Sequence, residues 1–143
     1  MDIVFIKKEN IHLLENFLLN IGEASKTFRY FDKRSIDDIR NHIVTLLLVD
    51  NKTPVAYGHL EDADQTIWLG ICVLPKYSRN GYGKIMMQAL IEEAKNAHFK
   101  NITLTVDKLN LPAIALYESF DFDKVNESET YYTYIYKITY PEL

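Results

Sequence analysis

The length of 143 residues is that of one domain, and residues 1–143 contain no repeat or Gly/Ser/Pro-rich linker that would divide them. Hydrophobic residues make up 48% of the chain, which is enough to fill the core of such a domain and excludes a disordered chain. The formal net charge of −4 has the wrong sign for a domain that binds nucleic acid by neutralising phosphates, so we expect no nucleic-acid partner.

The first third of the chain predicts one strand and two helices. Residues 2–7 favour a short strand, and apolar residues at helical spacing predict a helix over 11–19. Residues 35–42 are typical of a short helix, because Ser35 can cap its N-terminus and Asp38 follows three positions later.

The middle of the chain is rich in strand signals. Residues 44–49 form an apolar run of strand length, and turn residues at 50–52 lead into a second strand over 54–61. The two strands together predict a hairpin. A further β-rich segment over 66–73 ends before Pro75.

After this strand, apolar residues recur every three or four positions. This spacing predicts an amphipathic helix from about Gly81 to residue 97, followed by a strand over 102–107. Residues 110–120 are predicted to be helical, and residues 131–138 to close the chain as a strand. Alternating strands and helices favour an α+β domain with a mixed sheet.

The only cysteine of the chain, Cys72, lies in the predicted strand 66–73, so an intramolecular disulfide is excluded. A lone cysteine in an apolar strand is expected to be a buried small hydrophobe with a raised pKa, and not a nucleophile. No apolar run approaches the ~18 residues that a membrane span needs, and the first eight residues lack the pattern of a secretion signal. We therefore expect a cytoplasmic protein without a membrane partner.

The segment 73–84 joins a predicted strand to the amphipathic helix and has features of a phosphate-binding loop. The first turn of a helix leaves about four N–H groups without internal partners, and the helix dipole adds positive charge there. Gly81 and Gly83 lack the Cβ atoms that would block a diphosphate, while Arg79 and Lys84 can add charge-assisted contacts. A tight strand-to-helix turn would explain the same two glycines.

Two better-known phosphate loops do not fit this segment. A Walker loop requires glycine where Ser78 stands and a hydroxyl residue where Ile85 stands. A dinucleotide fingerprint requires a third glycine at the position of Met86. Both loops are therefore rejected.

Two blocks of sequence resemble the GNAT superfamily of N-acetyltransferases. Residues 78–83 (Ser-Arg-Asn-Gly-Tyr-Gly) are similar to the family's acetyl-CoA signature Arg/Gln-x-x-Gly-x-Gly/Ala, with Ser78 in place of Arg or Gln. Residues 110–122 resemble the family's Asn-x-x-Ala-x-x-Leu-Tyr-x-x-x-Gly-Phe, with Asp121 in place of glycine. One helix and one strand separate the two blocks, as in the family, and the resemblance covers residues 66–122.

This resemblance implies a mixed, mostly antiparallel sheet with a splayed central strand pair, flanked by about four helices. It also implies acetyl-CoA as the co-substrate, whose pantetheine arm would lie in the splay against the backbone of Ile71, Cys72 and Val73. The diphosphate would lie on the loop and first helical turn, at Arg79, Asn80, Gly81, Tyr82, Gly83 and Lys84. Asn110 would bond to coenzyme A, a role compatible with capping the helix that follows it.

The resemblance further implies a catalytic acid. The family's tyrosine at the position of Tyr117 directs its hydroxyl at the CoA sulfur, where it can protonate the departing thiolate. A core aromatic is the alternative for this residue. Amide formation also needs a base, and strand alternation places Tyr57, His59 and Glu61 on one face, which makes His59 and Glu61 the candidates. The alternative for His59 is a partly buried histidine whose hydrogen bonds are already made. The alternative for Glu61 is a solvated residue at the end of the strand.

Acceptor recognition in this family usually falls to the segment between the first two helices, here residues 25–34. Phe28 and Tyr30, with the cation of Arg29 between them, can stack on a ring and pair with a phosphate or carboxylate. This composition favours an anionic amino sugar as the acceptor. Aromatic side chains that only hold the loop against the core would produce the same pattern.

These features predict a metal-free N-acetyltransferase that moves an acetyl group from acetyl-CoA to the primary amine of a small molecule by direct attack in a ternary complex. We expect a monomer or a homodimer. The alternative is a domain that binds acyl-CoA without catalysis, as a sensor or an assembly partner. Tyr117 favours the enzyme, whereas Ser78 and Asp121 are marks of divergence.

Overall fold

The first and last strands of the chain belong to one sheet. The structure is a computed structural model that describes residues 1–26, 28, 30–32 and 35–141. For Glu23 and Asp32 it describes only the backbone. The strands of this sheet are Asp2–Phe5 (β1), His42–Asp50 (β2), Thr53–Ala63 (β3), Thr66–Val73 (β4), Asn101–Asp107 (β5), Asp123–Glu127 (β6) and Tyr131–Lys137 (β7). The α-helices are His12–Leu19 (α1), Tyr82–Asn96 (α2) and Leu111–Ser119 (α3). Short 3-10 helices cover Lys8–Asn10, Gly22–Lys26, Tyr30–Asp32, Ile36–Asn41 and Pro75–Tyr77.

The strand order is β1-β2-β3-β4-β5-β7-β6, and all neighbours are antiparallel except the parallel pair β4 and β5. This arrangement confirms the expected mixed, mostly antiparallel sheet. Trp68 and Thr103 form the one register pair that joins β4 to β5 in the described part of the chain. The central strands therefore separate beyond this pair, which confirms the expected splay.

Helices cover both faces of the sheet, so the strands of its centre are apolar on both sides. On one face, α2 packs Met86 and Leu90 into a cluster with strand residues such as Leu46. On the other face, α1 packs Leu14 and Phe17 into a second cluster. Because both faces are covered, the consecutive β2 residues 45–48, whose side chains alternate in direction, are all buried. No helix in the described ranges is long and apolar enough to cross a membrane.

The predicted elements form where local signals are strong. The helix predicted over 35–42 is a 3-10 helix, Ile36–Asn41, and its cap has the expected chemistry. The Ser35 hydroxyl accepts a hydrogen bond from Asp37 N at 3.1 Å, and the Asp38 carboxylate accepts one from Ser35 N at 3.0 Å. The sequence analysis missed β6, an edge strand whose residues are all exposed. Such a strand has no apolar alternation to detect.

Candidate active site

Six consecutive backbone amides at the start of α2 lack partners. Among the described residues, the N–H groups of residues 79–84 have no acceptor, and the first bond of the helix runs from Ile85 N to Gly81 O at 3.2 Å. Unpaired amides at a helix N-terminus bind anions, because the helix dipole adds to their own partial charge. The segment therefore has the donor set that a diphosphate needs.

The two glycines of this loop serve different purposes. Gly81 is the N-cap of α2 with a φ of +79°, a left-handed conformation that side chains with a Cβ disfavour, and open space surrounds the position where a Cβ would be. Gly83 has no such conformation, but a Cβ there would lie 3.1 Å from Leu116 Cδ2. Gly83 therefore lets α3 approach the first turn of α2. The φ of Gly81 supports the explanation by a tight turn, and the room that both glycines leave for a diphosphate stays a prediction.

Of four side chains in the loop, two form hydrogen bonds that shape it and two are free of ion pairs with described residues. Asn80 Nδ2 donates to Tyr77 O at 2.9 Å, and the Tyr82 hydroxyl donates to the Asp50 carboxylate, a bond that raises the pKa of Tyr82. Arg79 and Lys84 are exposed and form no ion pair with any residue that the structure describes. These two cations are thus available to an anionic ligand.

A cavity of about 430 Å³ fills the gap between the diverging strands. Its walls include Leu69, Gly70 and Ile71 of β4, and residues 105–107 of β5. Of the three β4 residues predicted to hold a pantetheine arm, only Ile71 lines the cavity, whereas Cys72 is buried in the cluster under α1. A contact to residues 71–73 would therefore have to be made by the strand's backbone.

Helix α3 and its N-cap contribute another wall of this cavity. Asn110 lines the cavity and is the N-cap of α3, with its side-chain oxygen accepting a hydrogen bond from Ala113 N at 3.3 Å. The cap therefore forms as predicted. About two turns further along the helix, Tyr117 also lines the cavity.

Tyr117 is almost fully buried, with its ring 5.8 Å from that of Phe122. Burial, with a smaller contribution from the Cys72 thiol, raises the pKa of Tyr117 well above its ordinary value. Its hydroxyl is therefore protonated at neutral pH, as a general acid must be. Burial likewise raises the pKa of Cys72 to about 12, so its thiol is a poor nucleophile.

The polar face predicted for β3 is present. Tyr57 and His59 are buried, and the Tyr57 hydroxyl lies 2.6 Å from His59 Nδ1. His59 lines the cavity together with Glu61, which is half-buried. Gly70, opposite His59 on β4, has ordinary backbone angles, but a Cβ there would lie 2.3 Å from His59 Cε1. Gly70 is therefore required by the imidazole that packs over it.

His42 joins this face although no local pattern pointed to it. It is the register partner of Glu61, and its ring stacks on that of His59 with centroids 4.3 Å apart. The Tyr30 hydroxyl lies 2.5 Å from His42 Nε2 and donates to Glu61 Oε2 at 3.1 Å. Only the pairing of β2 with β3 brings His42 to the site. Its place there therefore depends on tertiary structure and could not be read from the local sequence.

The cluster formed by His42, His59 and Glu61 is compact, since one nitrogen or oxygen of each lies within 4.8 Å of the others. These are donor types that transition metals also use. The Tyr30 hydroxyl lies between His42 and Glu61. A metal-free reaction remains a prediction.

Two of the three predicted acceptor residues line the cavity, namely Phe28 and Tyr30. The ring of Phe28 packs 5.3 Å from that of Tyr57, and the ring of Tyr30 packs 4.4 Å from that of His59. These contacts favour the alternative in which the aromatic side chains hold the segment against the core. Arg29 lies outside the described residues.

Two carboxylates line the described part of the cavity. Among its described lining residues, the formally charged side chains are those of Glu61 and Asp107. A cavity with two carboxylates attracts a cation such as an ammonium group.

Comparisons with known proteins show what the chain as a whole is similar to. The family model described as Acetyltransferase (GNAT) family matches residues 10–122. The [Ribosomal protein bS18]-alanine N-acetyltransferase of Escherichia coli strain K12 is 35% identical over 114 residues, which cover 79% of this chain and 77% of that protein.

Solved structures share the fold over nearly the whole chain. A GNAT-family acetyltransferase from Streptococcus pneumoniae superposes with a TM-score of 0.81 at 17% identity, covering 96% of this chain and 99% of that one. The PaiA N-acetyltransferase from Thermoplasma acidophilum, in complex with coenzyme A, gives a TM-score of 0.78 at 16% identity, covering 96% and 100%.

Proposed function

Because the chain belongs to the acetyltransferase (GNAT) family, we propose that it transfers an acetyl group from acetyl-CoA to a primary amine, with both substrates bound at once. One observation carries the proposal: a protonated tyrosine lines the cavity in the gap between the parallel strands β4 and β5, and the loop that follows β4 carries six unpaired amides. The alignment of thioester and amine in such a site can supply ~7 to 11 kcal/mol of the barrier.

The residues around the gap fit acetyl-CoA, which supplies the acyl group as a thioester. The amides of residues 79–84 would hold the diphosphate, with Arg79 and Lys84 pairing its charges. The backbone of residues 71–73 would bond to the pantetheine amides, and Asn110 would contact the same arm from α3. This assignment is supported by the missing β4–β5 pairing beyond Trp68.

Tyr117 would act as the general acid. Its position on the cavity wall and its raised pKa favour a hydroxyl that gives its proton to a departing thiolate. Cys72 is excluded from a covalent route by the high pKa of its thiol and by its burial. Direct attack by the amine is therefore the route that these groups support.

Glu61 is the better candidate for the base. Its carboxylate is half-buried at the cavity, whereas the imidazole of His59 is only 3% exposed and packs against the rings of both His42 and Tyr30. A base must reach the ammonium proton directly or through one water. We assign His59 a positioning role, because it packs against the Tyr30 ring whose hydroxyl bonds to Glu61.

Two acceptor classes follow from different observations. The relative that acetylates the alanine of a ribosomal protein, and the carboxylates in the cavity, favour the α-amine of a peptide N-terminus. Phe28 and Tyr30 pack against the core but also line the cavity, where an aromatic ring can stack on the amino sugar suggested by the sequence. An amino sugar whose ammonium group is its only charge suits the carboxylates better than one that also carries an anionic group.

Two measurements test this function. Calorimetry with desulfo-coenzyme A tests the cofactor site, and no heat of binding would overturn it. Thiol release from acetyl-CoA is then followed with N-terminal peptides beginning with alanine, amino sugars, polyamines and free amino acids. We expect release that depends on a peptide or an amino sugar. Binding of the coenzyme without release above background for any amine would support the non-catalytic alternative.

A further inference from the structure

A second cavity, of about 590 Å³, opens where β1 ends and β2 begins. Its volume is in the range of sites for small molecules, and no step of the proposed reaction uses it. Strand β1 stops at Phe5, and only the bond from Ile6 N to Thr45 O extends the pairing, so residues 42–44 have no β1 partner. The cavity occupies the space that a longer β1 would fill.

The floor of this cavity is apolar and partly open to solvent. Phe5 and Ile43 remain 45% and 39% exposed although both are large hydrophobic residues. Ile11, Ile39 and Val44 contribute further apolar surface. A ligand with an apolar body would remove this surface from water.

The rim of the cavity is cationic in a chain whose net charge is −4. Lys7, Lys8 and Arg40 line it, against one carboxylate, Asp37. None of the three cations forms an ion pair with a residue that the structure describes. An excess of cations beside an apolar floor complements an organic anion.

One residue connects this cavity to the active site. His42 lines the second cavity, and its ring stacks on His59, which lines the first. Its Nδ1 lies 2.8 Å from the hydroxyl of Thr45, another residue of the second cavity, and its Nε2 contacts the Tyr30 hydroxyl. Any movement of the His42 ring must therefore change the contacts of His59 and Tyr30.

We propose that the second cavity is an effector site for a small organic anion with an apolar body, and that its occupant acts on the acceptor side of the active site through His42. The carboxylate or phosphate of the ligand pairs with Lys7, Lys8 and Arg40, while its apolar part covers Phe5 and Ile43. Coupling requires that the ligand favours one arrangement of the His42 ring over another.

Imidazole proton NMR tests the site without acetyl-CoA or an acceptor. The chain has four histidines, so the ring resonances are few enough to follow individually. The probes are 2-naphthylacetate and 2-naphthyl phosphate, with 2-naphthylacetamide and 2-naphthylmethylamine as the neutral and cationic controls. We expect at least one anion to bind about tenfold or more tighter than both controls, and to shift His42 and His59 but not His98.

Variants locate the binding. The pair Lys7→Gln and Lys8→Gln, and separately Arg40→Gln, should each weaken the anion several-fold, whereas Lys100→Gln, an exposed lysine that does not line the cavity, should not. Ile43→Trp should block binding by filling the cavity, with circular dichroism as the check on folding. The carboxylate and phosphate arms distinguish the two sources of negative charge.

Three results would overturn the proposal. Equal binding of anion, amide and amine would exclude an anion site, as would affinities unchanged in all the cation variants. Anion binding that leaves the His59 resonance unmoved would exclude the connection through His42. Because no coenzyme is present, failure here is separate from failure of the acetyltransferase reaction.

Discussion

The imidazole of His59 lies over Gly70, its register partner across β3 and β4, so closely that a Cβ at residue 70 would come within 2.3 Å of His59 Cε1. Both residues line the active-site cavity. We predict that Gly70→Ala lowers the free energy of unfolding by ~1–3 kcal/mol, because overpacking forces the ring out of its place. Urea denaturation measures this loss.

A double-mutant cycle isolates the contact from other effects of the alanine. In a His59→Ala background the imidazole is gone, so Gly70→Ala should cost much less. If the two losses simply add, the packing of His59 over Gly70 does not explain the requirement for glycine.

Removing one hydroxyl tests the acid. Tyr117→Phe should lower kcat by ~10²-fold or more, because the thiolate then departs without its proton. The affinity for desulfo-coenzyme A should stay close to that of the parent, since the ring remains. Tyr136→Phe, outside the described cavity lining, is the matched control and should change neither quantity. A parental kcat in Tyr117→Phe would remove the role.

The base is tested by comparing pH–rate profiles of two variants. A carboxylate base works only when it is deprotonated, so the rate of the parent should fall toward low pH. Glu61→Gln should lower kcat by ~10²-fold or more and abolish that acidic limb. His59→Gln should lower kcat less and keep the limb. If instead the limb disappears only in His59→Gln, the two roles are exchanged.

The backbone conformation of Gly81, in the loop before α2, gives another prediction. Gly81 has a φ of +79°, so Gly81→Ala should cost ~1–2 kcal/mol of stability and weaken desulfo-coenzyme A as the amides turn away. Gly81→Asn should lose less of both, because asparagine tolerates this conformation better. Denaturation and calorimetry on the two variants decide the matter, and equal losses would contradict the conformational explanation.

The buried thiol makes stability depend on alkaline pH. The folded state raises the pKa of Cys72 to about 12 from 9.0, so its contribution is full below the unfolded value and is lost as pH rises toward the folded one. Cys72→Ala should therefore lose stability less steeply than the parent above about pH 9. Near neutral pH, a thiol reagent should modify the native protein far more slowly than the urea-unfolded chain. Fast modification of the native protein would contradict the burial.

The sequence predicted those strands and caps that depend on residues close together in the chain. The strand over 66–73 has the bounds expected of it, and the caps at Ser35 and Asn110 have the expected bonds. The edge strand β6 could not be predicted, because its exposed residues pair with β7 for tertiary reasons alone.

The candidate site follows the same division. Tyr117, His59 and Glu61 were predictable from a motif and from strand alternation. His42 depends on the register of β2 against β3, and Gly70 on the ring that packs over it from the neighbouring strand. Neither relationship leaves a trace at the residue's own position in the chain.

The single register pair between β4 and β5 has a consequence for the whole molecule. The sheet consists of two halves, β1 to β4 and β5 to β7, with almost no main-chain hydrogen bonding where β4 meets β5. A molecule bound in the gap would supply hydrogen bonds that join the two halves. Amide hydrogen exchange along both seam strands should slow together when the gap is filled, and the melting temperature should rise with the occupant's concentration.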